Sequence, residues 1–276
     1  MQPKAPLNRL AALTAVLLVF ALGLMFIRDR PKVEYYTTQI GEQRSLPQKD
    51  GSVITLNTDS GVEIRRDHST LHVKISRGEV NFNMIPHRGS RLVVLVAEHI
   101  EIRDTATIFA VRVVDHGARV TVKEGQVEIS FPDLTQVPLH ENQQATIDIG
   151  PALLTIRSMK ISPLEIDRQL AWIRGSLDFQ CETIGNAAKE FNRYNRTHIE
   201  VTDESTKRVR IGGVFSTTHP VTFTDAVAQL IPTIALDVAY DQNGARILRL
   251  HGALQSDAIP NCKPANTTGA IPDSGH

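Results

Sequence analysis

The sequence predicts a chain in three parts: an N-terminal transmembrane helix, a mainly-β domain, and a small α/β module with the order βαββαβ. Three observations predict it. Residues 10–27 are an uncharged apolar run. From position 33 to about 150 apolar residues recur at every second position. From 172 to 252 helical spacing and strand alternation take turns. The boundaries are therefore a tail at 1–9, the apolar helix at 10–27, the β domain at 33–150, a connector at 151–171, the module at 172–252 and a flexible polar tail at 253–276. With 276 residues, 41% hydrophobic and 22% charged, the chain can bury a sizeable core, which excludes global disorder. Lys+Arg and Asp+Glu balance at 30 each. The basic excess of a nucleic-acid binder is absent, so no nucleic acid is expected as a partner.

The run Leu10 to Ile27 contains no charge, and Thr14 is its one polar residue. As a helix it is about 27 Å long at a rise of 1.5 Å per residue, close to the ~30 Å hydrocarbon core of a bilayer. A cleaved signal peptide is the competing reading, with Ala21-Leu22-Gly23 as its cleavage site. Leu24 to Ile27 continue the apolar run past that site and favour a retained anchor in contact with membrane lipid. Lys4 and Arg9 precede the span and Arg28, Arg30 and Lys32 follow it, so flanking charge gives no orientation.

In the β domain, alternation marks strands at 52–57, 71–75, 80–84, 119–123 and 126–130. Residues 91–97 are nearly all apolar and predict a central strand covered on both faces. Asp50-Gly51, Ser60-Gly61, Arg77-Gly78, His116-Gly117 and Glu124-Gly125 supply turns, and Glu124-Gly125 predicts a two-residue hairpin. Gly51, Gly78 and Gly125 are expected to take turn conformations that other residues resist, and Phe82 and Phe109 to fill the core.

The connector predicts a short helix with Ser162 as N-cap, Pro163 at the first helical position and Glu165 at the third. Further on, Ile184, Ala187, Ala188, Phe191 and Tyr194 recur at helical spacing. Strands follow at 198–202 and 209–215. A helix is expected to start at Thr222-Phe-Thr-Asp225 and end before Pro232, and strands 236–240 and 246–250 flank an Asn243-Gly244 turn. Cys181 and Cys262 are the two cysteines. In an oxidising compartment they could pair; otherwise they are independent thiols.

The order of these signals resembles the FecR family of transmembrane sigma-factor regulators. The matching pieces are Gly41-Glu42, Leu46-Pro47, Asp50-Gly51-Ser52, Leu56-Asn57, Arg77-Gly78-Glu79 with Phe82, Thr107 with Phe109, and Glu124-Gly125 with Val127. Each piece is common alone; seven in order are specific. All read as a folding signature rather than an active site. Ala106 replaces the glycine at which some members are described as cleaving themselves, and its lower backbone freedom argues against that reaction here. The second part is similar to the short N-terminal module of secretins and TonB-dependent receptors, introduced by Trp172, Gly175, Leu177 and Phe179.

The resemblance implies a single-pass protein of the bacterial inner membrane with its bulk in the periplasm. It implies a relay by protein–protein contact from the signalling domain of an outer-membrane TonB-dependent receptor, for siderophore or iron, to an extracytoplasmic-function sigma factor. The module is the implied docking surface, with Phe191, Tyr194, Asn195 and Phe215 as partner-binding residues. The nine residues before Leu10 are too few to fold a sigma-binding domain, so direct sigma-factor contact is not expected of them. An envelope scaffold that contacts a secretin-like or transport complex is the alternative. No nucleotide-binding, HExxH or nucleophile-elbow motif is present. The histidines fall in turns and strands without ligand spacing, so no catalytic residue, metal or cofactor is expected.

Overall fold

The computed structural model describes residues 32–252 apart from 68, 86–90, 98–99, 105–106, 132–135 and 151–153, together with Thr14. Among the described residues no helix is long and apolar enough to cross a membrane. The expected span at 10–27, Ala106, the tail at 253–276 and Cys262 lie outside the described residues.

Alternation builds two seven-stranded sheets. The first takes the order β1 (Val33–Thr37), β4 (Gly61–Asp67), β5 (Thr70–Arg77), β7 (Arg91–Val96), β8 (Ile100–Asp104), β11 (Gln126–Ser130), β12 (Gln136–His140). The second runs β14 (Leu154–Lys160), β13 (Gln143–Ile149), β10 (Gly117–Glu124), β9 (Ile108–Val114), β6 (Glu79–Asn83), β3 (Val53–Leu56), β2 (Arg44–Pro47). Pairing within them is antiparallel except between β5 and β7. Inward residues of both sheets share one apolar core, in which Phe82 and Phe109 are fully buried and stack at 4.8 Å. That is the two-layer solution for sheets with one apolar face each.

Several expectations are corrected. Glu124-Gly125 does not close a hairpin. It carries the chain from β10 in one sheet to β11 in the other. Arg77-Gly78 and Ser60-Gly61 likewise change sheets. A corner and a hairpin both reverse the chain at glycine and keep apolar residues inward, so alternation alone does not separate them. Gly51, Gly78 and Gly125 do take positive φ, at 86°, 85° and 81°. Strand β7 is central, yet its outward Val93 and Leu95 are only half-buried. Part of the expected connector is β14, which pairs with β13 along its whole length.

Helix α1 (Pro163–Gln169) starts as expected: the Ser162 hydroxyl accepts from the Glu165 N–H at 3.1 Å. A 3-10 turn (Ala171–Arg174) leads into β15 (Ser176–Thr183), α2 (Ile184–Tyr194), β16 (His198–Val201), α3 (Glu204–Arg208), β17 (Arg210–Ser216), α4 (Pro220–Leu230), β18 (Ile234–Tyr240) and β19 (Arg246–Gly252). The expected elements thus gain the short helix α3, and both closing strands stand where expected. Helix α4 begins two residues before the expected cap, because Pro220 takes its first position after His219. Strand β17 pairs with β15, whereas β16 runs parallel to β19 and β18 antiparallel to it. Phe179, Phe191, Phe215 and Phe223 form the aromatic centre of this module.

Candidate functional site at the junction of the two domains

The polar ends of the sandwich strands meet one flank of α2. Asn57 follows β3 and is fully buried. Its amide donates to Glu79 Oε2 at 2.9 Å and to the Tyr194 hydroxyl at 2.8 Å. Glu79, 7% exposed at the start of β6, also accepts from Arg193 Nη2 at 2.8 Å. Arg193 pairs through its other terminal nitrogen with Glu190, which receives Arg112 Nη1 of β9 at 3.2 Å. Two acids and two arginines therefore alternate across the boundary: Glu79, Arg193, Glu190, Arg112.

Backbone contacts hold the same place. The Thr58 hydroxyl donates to the Arg193 carbonyl at 2.9 Å and accepts from the Gly41 N–H at 2.8 Å. A Cβ at Gly41 would lie 2.9 Å from the Tyr194 carbonyl oxygen, and φ there is 83°. Only glycine allows that approach without strain. Gln43 donates to the Trp172 carbonyl at 2.7 Å, Lys123 pairs with Asp167 of α1 at 2.7 Å, and Gln144 donates to Gln169 at 2.6 Å. A small apolar contact of Ala110 with Ile166 and Leu170 completes the seam.

Electrostatics follow from this burial. Desolvation works against the Arg193 charge, but Glu79 and Glu190 more than offset it and hold its pKa above the ordinary arginine value. Burial and the nearby Glu79 carboxylate push the Tyr194 hydroxyl up, so it stays protonated.

The residues singled out from sequence fall into three sets. Asp50, Gly51 and Ser52 make the β2–β3 hairpin, where Asp50 Oδ1 accepts from the Ser52 N–H. Thr107 is buried with its hydroxyl donating to the Gln126 carbonyl, and Glu124 lies exposed at the corner of Gly125. Trp172 is buried in the module core, and Gly175 ends the 3-10 turn at φ 72°. Cys181, buried at a bulge in β15, is disulfide-bonded.

The partner-binding residues are the correction. Phe191 and Tyr194 are 0% and 2% exposed, and Phe215 is half-buried. Phe191 and Phe215 fill the aromatic centre, and Tyr194 faces the sandwich, so none of these three offers a free docking surface. Asn195, also buried, ties the end of α2 to Thr217. Of the family motif, Glu79 and Asn57 gain a role that sequence reasoning missed, and Arg193, Glu190 and Arg112 were not singled out at all. Asn57 and Glu79 adjoin inward Leu56 and Val80 and so fall on the outward phase of the alternation, where a polar residue carries no signal of burial.

Residues 34–128 match the family model described as FecR protein, so the chain carries a FecR domain. No curated protein sequence matches. Two crystal structures of a proposed anti-sigma factor from Parabacteroides distasonis share the fold, each at 17% identity. One has a TM-score of 0.60 and covers 79% of this chain and 99% of its own. The other has a TM-score of 0.59 and covers 80% of this chain and 100% of its own.

Proposed function

We propose that this FecR-domain chain is a membrane-anchored envelope protein that relays the state of an outer-membrane TonB-dependent receptor, by protein–protein contact, towards an extracytoplasmic-function sigma factor. The carrying observation is the junction. Asn57 and Glu79, both within the FecR match, are the groups that grip Arg193 and Tyr194 of the second domain. A partner that pulls on or reorients the module acts directly on the FecR domain through a handful of charged contacts. Polar seams of this kind separate more readily than apolar ones.

The module supplies a docking edge of the right kind. Strand β18 lies at the free edge of its sheet, with Val238 49% and Tyr240 69% exposed. An added strand from a receptor domain would pair there through its backbone. The apolar span at 10–27 holds the assembly at the inner membrane with the described domains in the periplasm.

The test is a transcription profile of a deletion strain, with and without an iron chelator. One coherent set of genes under a single sigma-factor promoter is expected to change, and a chromosomal Glu79→Gln variant to shift the same set. A profile unaltered by the deletion in both conditions refutes the reading.

A further inference from the structure

A cavity of about 430 Å³ lies beside the junction, between β9 and β10 of the sandwich and α1, β15 and α2 of the second part. Its volume suits a small organic ligand. Two donors on its wall have no partner. The Trp172 indole is buried with its Nε1–H unsatisfied, and so is Nε of Arg119 on β10. Buried indole and guanidinium groups are rarely left so.

Two cations at the cavity stand outside its ion pairs. Among the described residues Arg119 makes no ion pair, and neither does exposed Lys189. Glu79 and Glu190 are taken by Arg193 and Arg112, while Arg168 holds Glu165 and Asp178. Glu182 is the one acid there without an ion pair, and it already accepts from the Thr183 N–H and the Asn186 amide. Because Arg168 faces two acids, the wall as a whole carries no net positive charge, and what an anion would meet is the unpaired Arg119 itself. Burial and the adjacent Arg112 push the Arg119 guanidinium down, and Glu79 and Glu190, which pull the other way, do not offset them, so an anion in direct contact would relieve the remaining cost. A water molecule could accept from both donors but would bring no charge.

We infer that this cavity binds a small organic carboxylate, with Arg119 forking onto the carboxylate oxygens and the Trp172 indole N–H donating to the same ligand. Guanidinium geometry matches a carboxylate bidentately, which lysine does not. The inference does not depend on the sigma-factor reading, since it rests on the cavity wall alone.

Trp172 is the only tryptophan in the chain, so the site reports on itself. The full chain in detergent is titrated with acetate, succinate and citrate, against sodium chloride of matched ionic strength, while tryptophan emission is followed. At least one carboxylate is expected to give a saturable change. Arg119→Gln should weaken it at least tenfold, Arg119→Lys less, and Lys189→Gln about threefold. Lys189 is exposed, so its variant keeps the test intact if Arg119→Gln does not fold. No response beyond the chloride control, a response to inorganic phosphate alone, or an unchanged response in both Gln variants overturns the proposal.

Discussion

Neutralising Glu79 is the sharpest perturbation of the junction. Its side chain is 9% exposed and that of Arg193 20%, so the pair is poorly screened by solvent. Removing one partner of a buried pair costs about 3–5 kcal/mol when nothing else compensates. Here Arg193 keeps Glu190, and glutamine retains an acceptor for Asn57, so about 2 kcal/mol is expected for Glu79→Gln. At the ~2–4 °C per kcal/mol typical of a body this size, the melting temperature should fall by about 4–8 °C. Arg193→Met leaves Glu79 without a cation while Glu190 keeps Arg112, and should cost about 3 kcal/mol. The double variant removes both sides of the contact and should recover about 1–2 kcal/mol relative to the sum of the singles. Urea denaturation of the four proteins completes the cycle. If Glu79→Gln costs under about 0.5 kcal/mol, or the two changes simply add, the joint is not held by this pair.

Other outcomes follow from individual contacts. Tyr194→Phe removes an acceptor for Asn57 while Glu79 still serves it, so a loss of about 1 kcal/mol is expected by the same denaturation. Gly78→Ala must hold φ near 85° and place a Cβ 2.2 Å from Ser60 Oγ, whereas Gly244→Ala has φ 79° and open space. The Gly244 variant should lose about 1 kcal/mol and the Gly78 variant at least twice that. Asp203 accepts from Ser205, Thr206 and the Gly252 N–H. Burial would raise its pKa, but these donors outweigh it and hold the carboxyl below its ordinary value. Because the folded pKa is the lower one, its stabilisation is present at neutral pH and disappears as the pH falls through that folded value, below about 4. Asp203→Ala should therefore narrow the gap to the parent protein in acid melting curves.

Strands were legible because burial on one face imposes a period of two, and Phe82 and Phe109 were placed in the core for that reason. Sheet membership was not legible. The same glycine that ends a hairpin at Gly117 turns a corner at Gly125, and only the pairing partners differ. Helix α2 was read correctly from its buried face, and that success hid the junction. Glu190 and Arg193 sit three residues apart on its flank, where an acid and a base usually mark a solvated surface. What makes them different is Glu79, 114 positions away in sequence. Local patterns carry no trace of a contact at that separation.

The parallel neighbour of β16 has a consequence for biogenesis. Residues 198–201 hydrogen-bond within their sheet only to 247–250, which are synthesised after every other described element. Until that stretch arrives, Ile199 and Val201 have no adjoining strand, and the platform that seats α2 against the sandwich is unfinished. A chain cut or stalled before position 246 should thus keep a finished FecR domain with its Asn57 and Glu79 facing water. Strand β19 acts as a clasp that decides when the two halves first meet.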